Sequence, residues 1–593
     1  MRADPGIGFG RGDWGFVAAA VLTTLWAVFQ NFYKLGTAPI VADEPTYTSA
    51  AWRYVHGQVL APAPLTGGRP ALTPDNFEHP PLAKYLFGLA QLVDGTPSGL
   101  TAARAISALA TVLAGLAVAV WIGRAAGRWT GLLAGALLTV LPEPAGNSIG
   151  RFDRFAMLDP VASLFMVLSV VVAWEWSKRT GRSAWVFAML TGVAVGCAAG
   201  SKENGFLGAV GPVIATLIIA PFIRSAVAPK AGPATPAATA PADVAASASA
   251  TSADVAPIDL TRPQLDPTRS RPDLTQSRPD LTWSQPRRPA REFLIRSVQA
   301  LVAIVVSLAV FVGLYVPLGH PIDRIRYLID FQSAQASAGH LIGFAGRVSA
   351  DPPWWANFWF AGHNYGSVLT VFLVTAALCA VVLRRDLLVW WCVAALAAPV
   401  VFHGFIANVA LGYYWVMWTP MFLVLAALGS AEVIRRAVRV PRLTIPIALA
   451  TGAAVLAIPA AESVDQTVVV AGIKPTGVMV VPKLMREYNL TGPIVSAGLP
   501  IWSLSYYLPG RTVYTSAAQP VTGAETILIS QPQCRDLIDQ SVRALVAVNL
   551  TTGHVKQVYT DSQLTAYEVT GPLAMPTTAQ INAERPGRLA DHC

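Results

Sequence analysis

The chain has 593 residues, is 53% hydrophobic and only 13% charged, and carries a formal charge of +9, with a mean hydropathy of +0.48. A soluble domain carries about 25% charged residues, so the composition excludes an ordinary soluble globular protein. It also argues against a nucleic-acid binder, because Lys and Arg sit mostly in short stretches between apolar runs, which is a topology signal.

Runs of about 18 to 22 apolar residues are long enough to cross a hydrocarbon core about 30 Å thick. They must be helical, since lipid offers no partners to unpaired backbone groups. Eleven candidate spans follow in order: Trp14–Tyr33, Ala102–Gly123, Thr130–Gly146, Met157–Trp176, Ala184–Gly200, Gly205–Ile223, Phe293–Gly319, Gly366–Leu383, Leu387–Phe405, Tyr413–Ile434 and Leu443–Ala461. The first has no Ala-x-Ala-like cleavage site and runs on into aromatic residues, so it is expected to be a retained signal anchor. Upstream of it, "GIGFG" follows no strand and reads as a tail rather than a phosphate loop.

Alternate connections carry the cations: Arg124 and Arg128; Lys178, Arg179 and Arg182; Arg224 and Lys230; Arg384 and Arg385; Arg435, Arg436, Arg439 and Arg442. These connections are expected to be cytoplasmic. The N-terminus is then cytoplasmic, and the segments after the first span and after Ala461 are extracytoplasmic. The chain divides into a transmembrane half, 1–223, with a first outer loop at 34–101; a linker, 224–292; a second transmembrane half, 293–461, with a Trp-rich outer loop at 320–365; and an extracytoplasmic domain, 462–593. The linker is rich in Ala, Pro, Ser and Thr and repeats "SRPDLT", a composition that cannot bury a core and predicts disorder. "PPWWANFWF" suits the membrane interface. The tail alternates short apolar strands such as "GPIVSAG" and "ETILIS" with turn residues, which predicts a small α/β domain. Of the five cysteines, Cys197, Cys379 and Cys392 lie in apolar runs as small core residues, while Cys534 and Cys593 are candidates for a disulfide.

The chemistry-bearing residues gather on the outer side. "ADEPTY" puts Asp43 and Glu44 just past the first span. Pro45 disfavours helical backbone before it, and in an extended chain neighbouring side chains point opposite ways, so the two carboxylates can do different work. A carboxylate beside a low-dielectric region can reach the working range of a general base. "EHPPLAKYLFG" holds Glu78, His79 and Lys84 around a rigid Pro80-Pro81 step. "GRFDRFAMLDP" supplies Arg151, Asp153, Arg154 and Asp159. Asp159 enters an apolar run, where an unpaired charge costs a few kcal/mol. It therefore needs a partner, and Arg154 is the nearest cation in sequence; a structural and a functional ion pair both fit. "GSKENGF" adds Lys202 and Glu203 in a tight turn. Arg151, Arg154 and Lys202 break the charge rule for outer loops, which marks them as candidates for function.

The order Asp-Glu after the first span, His-Pro-Pro-Leu, Arg-x-x-Met-Leu-Asp and Gly-x-x-x-Gly-Ser-Lys resembles the protein O-mannosyltransferases, and is similar to the aminoarabinose lipid A transferases. Both belong to the GT-C glycosyltransferase superfamily. The resemblance covers the first six spans, extends loosely to the Trp-rich loop and "YYWVMWTP", and leaves out the linker. It barely covers the tail, and it implies a GT-C type for what the hydropathy and turn pattern already make a polytopic α-helical membrane protein with about eleven transmembrane helices and a small C-terminal extracytoplasmic α/β domain. It further implies transfer of a sugar, mannose or alternatively a pentose such as arabinose, from a polyprenyl-phosphate donor to a protein, glycolipid or polysaccharide acceptor.

Asp43 matches the base and Glu44 the neighbouring acceptor-side acid. Glu78, His79 and Pro80 match the second loop motif, with Lys84 beside it; Arg154 and Asp159 match the third. Lys202 matches the Lys that faces the donor phosphate, with Arg151 and Arg154 as further cations for it. His340 matches a His of the long outer loop. The chain departs from the mannosyltransferases at Glu203, where an aromatic commonly follows the Lys, and it lacks their inserted sugar-binding domain. No cofactor is required; a divalent cation, held by Glu78 and His340, is compatible with the pattern. A lipid transporter is the other reading. Transporters show internal repeats and mid-membrane charges, whereas this chain shows no repeat of its spans and gathers its charges at one face.

Overall fold

The computed structural model describes residues 11–584 apart from 39, 41–42, 60–74, 96–98, 143–150, 228–287, 340–341, 346, 350, 408–409, 411, 439–443, 498–503, 505–506, 509, 515–522, 531–539 and 562–563. His340, Cys534, Cys593 and nearly all of the expected linker therefore lie outside the described residues.

The membrane part runs α1 (Arg11–Phe32), α2 (Glu44–Val55), α3 (Leu82–Asp94), α4 (Leu100–Ala126), α5 (Arg128–Val140), α6 (Leu158–Lys178), α7 (Gly181–Ser201), α8 (Leu207–Val227), α9 (Arg288–Tyr315), α10 (Pro321–Ala338), a hairpin of β1 (Ile342–Phe344) and β2 (Arg347–Ser349), α11 (Ala356–Tyr365), α12 (Ser367–Cys379), α13 (Leu387–Val401), α14 (Trp415–Val438) and α15 (Thr444–Gly472). Among the described residues, nine helices are long and apolar enough to cross a membrane. The expected spans Thr130–Gly146 and Gly205–Ile223 coincide with α5 and α8. Helix α5 has 13 residues and stops at Leu141, whose backbone is extended (φ −75°, ψ 155°), as befits a residue preceding proline. Helix α8 is entered through a 3-10 turn, Glu203–Phe206. The first outer loop is not irregular: it carries α2 and α3.

Hydrocarbon gives apolar helices little reason to associate, so close packing by small residues carries more of the burden. Gly211 of α8 lies against the Ala394 carbonyl of α13, and Gly429 of α14 against the Ala376 carbonyl of α12; a Cβ at either glycine would overlap that oxygen. Between these contacts sits an aromatic core. Trp174 meets Trp121 edge-on at 6.3 Å and Trp391 at 5.4 Å; such pairs contribute about 0.5–1.5 kcal/mol beyond the area they bury. The buried Arg296 of α9 closes the C-terminal end of α6, donating to the Trp176 carbonyl at 2.9 Å and the Arg179 carbonyl at 2.6 Å. The Trp176 carbonyl also accepts the Arg179 N–H at 3.1 Å, so this helix end is satisfied from two sides.

Beyond α15 the chain forms α16 (Val481–Glu487), β3 (Ile494–Ala497), β4 (Val513–Tyr514), β5 (Thr526–Ser530), α17 (Gln540–Thr551), β6 (Val555–Thr560), β7 (Leu564–Val569) and α18 (Thr578–Ala583). The five-stranded sheet has the order β4-β3-β5-β7-β6. Strands β3, β4 and β5 pair in parallel, with Ile494 opposite Thr526, and β7 pairs antiparallel with β5 and β6. Alternate residues of β3 serve two cores: Ile494 packs with Leu484 and Leu528, and Val495 with Ile527 and Leu545. A strand buried on both faces reads as a continuous apolar run, which is what "GPIVSAG" is. This is the expected α/β domain.

The domain is tied to the segment that leads to Asp43. Lys34 donates to the carbonyls of Ala471 (2.9 Å) and Ile473 (3.2 Å), and Ile40 packs against the domain's core. The glycine contact gives a test of the bundle: Gly429→Val should force α12 and α14 apart and lower the melting temperature in detergent by several degrees. A valine variant as stable as wild type would contradict the packing.

Candidate active site

Asp43 is the N-cap residue of α2, with φ −87° and ψ −17°. Pro45 occupies the first turn of the helix, where its fixed φ and missing N–H are tolerated. The extended backbone expected here is thus replaced by a helix start, because the Glu44–Arg104 pair and the buried α2 face outweigh the local bias of a residue before proline. The two carboxylates nevertheless separate. Glu44 is fully buried and grips Arg104 of α4 with both oxygens, Oε1 to Nε at 2.7 Å and Oε2 to Nη2 at 2.6 Å. Its Oε1 also accepts the Ala156 N–H at 2.6 Å. Arg104 in turn donates through Nη1 to the carbonyls of Leu35 (2.6 Å) and Ala38 (2.8 Å). Glu44 therefore faces the protein rather than an acceptor, and it anchors the turn. Asp43 is half-buried and makes no side-chain cap hydrogen bond.

Asp159 finds its partner in Lys202, at 2.5 Å with both side chains buried. Arg154, the neighbour expected from sequence, points elsewhere: it donates to the carbonyls of Gln30, at 2.9 Å, and Tyr33. Burial pulls the Arg154 guanidinium down to about 10, against the opposing pull of Asp153. Arg151 is also fully buried, paired with Asp153 at 2.6 Å and donating to the Leu138 and Leu141 carbonyls. Both arginines are committed to holding the Phe152–Arg154 turn behind the site, since a guanidinium buried this deeply must spend its donors on fixed acceptors. Lys202 is the expected phosphate-side cation that stands at the centre. Its ammonium also lies 5.1 Å from the centroid of the Tyr414 ring.

His79 reaches the same centre from the second loop. Its Nδ1 is 3.0 Å from Glu203 Oε2, and its ring meets Tyr47 of α2 edge-on at 5.7 Å. Lys84 holds the loop in shape: its ammonium donates to Asn76 Oδ1 (3.1 Å), the His79 carbonyl (2.7 Å) and the Asn76 carbonyl. Burial pushes Lys84 down to about 7, against the pull of Glu78, Glu203 and Asp75. Glu78 is buried beside it, and its carbonyl accepts from Gln332 of α10 at 2.9 Å. Among the described residues no group of three or more His, Cys, Asp or Glu side chains is placed to hold a metal ion.

These elements meet at one end of a cavity of about 1330 Å³ enclosed by α7, α8, α9, α10 and the end of α13. Most of its wall is aliphatic, with Phe311, Leu308 and Leu217 along its length, and its polar end is formed by Glu203, His403 and Tyr414. Burial and then the negative charges of Glu203, Asp159 and Asp43 push the Tyr414 phenol up, so all three carboxylates act on that hydroxyl through their charge. The structure therefore brings together the His79–Glu203 and Asp159–Lys202 pairs, with Lys202 against the Tyr414 ring and Asp43 within electrostatic reach of it, and leaves Glu44, Arg151 and Arg154 in the scaffold. Sequence reasoning passed over His403 and Arg104, and marked Tyr414 only loosely, as part of "YYWVMWTP". The signal for Arg104 was present, since an ionisable residue inside an apolar span calls for a partner.

Residues 98–230 match the family model for dolichyl-phosphate-mannose-protein mannosyltransferase. The structure of ArnT from Cupriavidus metallidurans bound to undecaprenyl phosphate superposes with a TM-score of 0.51 at 14% identity, covering 96% of this chain and 100% of that one. The chain has the GT-C fold. An apo oligosaccharyltransferase from Archaeoglobus fulgidus gives a TM-score of 0.52 at 11% identity, covering 97% of this chain and 76% of that one. AglB from the same organism, in complex with an inhibitory peptide and a dolichol-phosphate, gives 0.50 at 10% identity, covering 88% and 70%. No curated protein matches the chain by sequence. Together with its apolar helices, the fold makes this an integral membrane protein.

Two outcomes follow from the buried charges. Glu44→Gln leaves Arg104 without its counter-charge, and breaking such a pair costs about 3–5 kcal/mol. The variant should melt well below wild type, and an unchanged melting temperature would remove the anchoring role. For Lys84, the folded group loses its proton near 7 while the unfolded one keeps it to 10.5. The cost of burying the charge is thus fully present below pH 7 and is relieved as pH rises through that window. Stability measured against Lys84→Met should rise between pH 7 and about 10; a flat difference would contradict the shift.

Proposed function

We propose that the protein is a membrane glycosyltransferase that moves a sugar from a polyprenyl-phosphate donor to an acceptor hydroxyl. The observation that carries this reading is the joining of a long apolar cavity to an ionised cluster: Tyr414 and Glu203 line the cavity, Lys202 lies against the Tyr414 ring and pairs with Asp159, and Asp43 acts on the same hydroxyl through its charge. A polyprenyl chain needs a dry channel, and its phosphate needs a cation at the channel's end. The match to a mannosyltransferase family model and the GT-C fold support the same reading, as do the similar structures of ArnT bound to undecaprenyl phosphate and of AglB in complex with a dolichol-phosphate.

In the proposed step the Asp43 carboxylate takes the proton of the acceptor hydroxyl. The acceptor oxygen forms a bond to the anomeric carbon, and the bond from that carbon to the phosphate oxygen breaks. Lys202 stabilises the charge that builds on the leaving phosphate. One base and a phosphate leaving group make this a single displacement with inversion, unlike the two-carboxylate covalent route. The His79–Glu203 contact fixes the second loop across the site. Arg104 and Glu44 act by holding the Asp43 turn. The reading requires no metal.

The cluster lies at the bundle end opposite Arg124, Lys178, Arg179, Arg384 and Arg435, so the positive-inside rule assigns it to the extracytoplasmic face, with the N-terminus cytoplasmic and the C-terminal domain outside. Mannose is the first sugar to test, because the matched family is named for it, and a pentose is the second. The acceptor is a hydroxyl of a protein, glycolipid or wall polysaccharide. Asp43→Asn should lose transfer by about 10²-fold or more, as general-base removal does, while still binding polyprenyl phosphate. Lys202→Ala should weaken both transfer and lipid binding. Full transfer by Asp43→Asn would eliminate the base assignment.

A further inference from the structure

A second, smaller cavity of about 280 Å³ lies on the other side of His403, against Pro353, Trp354, Asn357 and Phe405. His403, Ile406 and Ala407 line both cavities, so the imidazole forms part of the partition between them. The residue is 2% exposed, and among the described residues neither of its ring nitrogens has a hydrogen-bond partner. It is held by its flat faces and edges: Tyr414 lies 4.8 Å away and Trp418 stacks at 5.5 Å. Asn357 beside it is also 2% exposed. Its amide nitrogen donates to the His403 carbonyl at 2.7 Å, which fixes the amide orientation and leaves Oδ1 buried without a partner.

A neutral imidazole always carries one N–H donor and one acceptor nitrogen, and each buried polar atom left unpaired costs about 1–3 kcal/mol. Three such atoms on two neighbouring residues are not an economical way to build a core. They leave one donor and two acceptors unpaired in the wall of a pocket flanked by aromatic rings, Trp354 stacked on Phe405 at 5.8 Å. The local backbone is unusual as well. Residues Phe402–Ile406 form a π-helical turn just after Pro399, a wide turn that recurs at functional sites.

We propose that this pocket binds the sugar ring of the donor, with His403 and Asn357 hydrogen-bonding adjacent hydroxyls and so setting sugar specificity. Each sugar hydroxyl both donates and accepts, which answers an N–H, a ring nitrogen and an amide oxygen set side by side. The aromatic walls suit the C–H faces of a pyranose, and the volume suits one monosaccharide rather than a chain. With the lipid in the large cavity and the phosphate at Lys202, the sugar would reach past Tyr414 to His403. This assignment rests on the proposed donor class, and adds the residues that read its sugar.

The test compares binding of polyprenyl-phosphate mannose with binding of bare polyprenyl phosphate, using the full chain in detergent and competition against a labelled polyprenyl phosphate. His403→Phe keeps the ring and its stacking but removes both nitrogens; Asn357→Leu removes the amide. Because His403→Phe deletes buried unpaired atoms, its melting temperature should equal or exceed that of wild type. Wild type should prefer the sugar-bearing lipid. His403→Phe should lose about tenfold for that lipid, which is about 1.4 kcal/mol, with bare polyprenyl phosphate unchanged. Equal losses for both lipids, or no loss for either, would overturn the sugar assignment while leaving the donor class intact. Failure of wild type to bind either lipid would instead defeat the donor class itself.

Discussion

The buried pair between Glu44 and Arg104 is the constraint on which the site depends. It joins α2 to α4, and through the Ala156 N–H and the Leu35 and Ala38 carbonyls it also fixes the turn before α6 and the exit from α1. A charge pair taken wholly out of water is worth keeping only when its remaining donors and acceptors are satisfied. Here three further bonds to backbone groups do so, tying the exit from α1 and the turn before α6 to the pair. Asp43, one residue before Glu44, inherits its position from that anchor. Its own carboxylate is left half-exposed at the mouth of the cluster.

The same economy explains the rest of the acidic and basic residues on this face. Arg151 and Arg154 use their donors on carbonyls and on Asp153, and they hold the short turn that delivers Asp159. Asp159 then meets Lys202, which arrives from the end of α7, and Glu203 meets His79 from the second loop. The outcome is a division between charges that build the scaffold and charges grouped around Tyr414. The apolar cavity ends at that group, which brings a hydrocarbon-lined groove and an ionised centre into contact.

Much of the architecture was legible in the sequence because lipid imposes it. Hydropathy located the spans, and short apolar runs between turn residues located the C-terminal domain. The carboxylates and Lys202 stood out because charge beside an apolar run demands a reason. What the sequence could not supply was pairing across distance. Asp159 is paired 43 positions away, with Lys202 rather than with Arg154 five positions before it, because the α6–α7 packing, not local spacing, decides who meets whom. Glu44 looked like half of a surface pair and is instead buried, since its partner Arg104 lies 60 positions along, inside a span. Tyr414 was marked only loosely, as part of "YYWVMWTP", and His403 not at all. Aromatic and imidazole side chains in an apolar stretch read as core, and only the cavities beside them distinguish them from it.

The account stands or falls on whether a polyprenyl-phosphate sugar is consumed at this cluster. Purified full-length protein, given radiolabelled polyprenyl-phosphate mannose together with cell-envelope acceptors, should release polyprenyl phosphate and move the label to the acceptor fraction, with an inverted anomeric linkage. Intact donor after prolonged incubation, across both mannose- and pentose-bearing lipids, would contradict it.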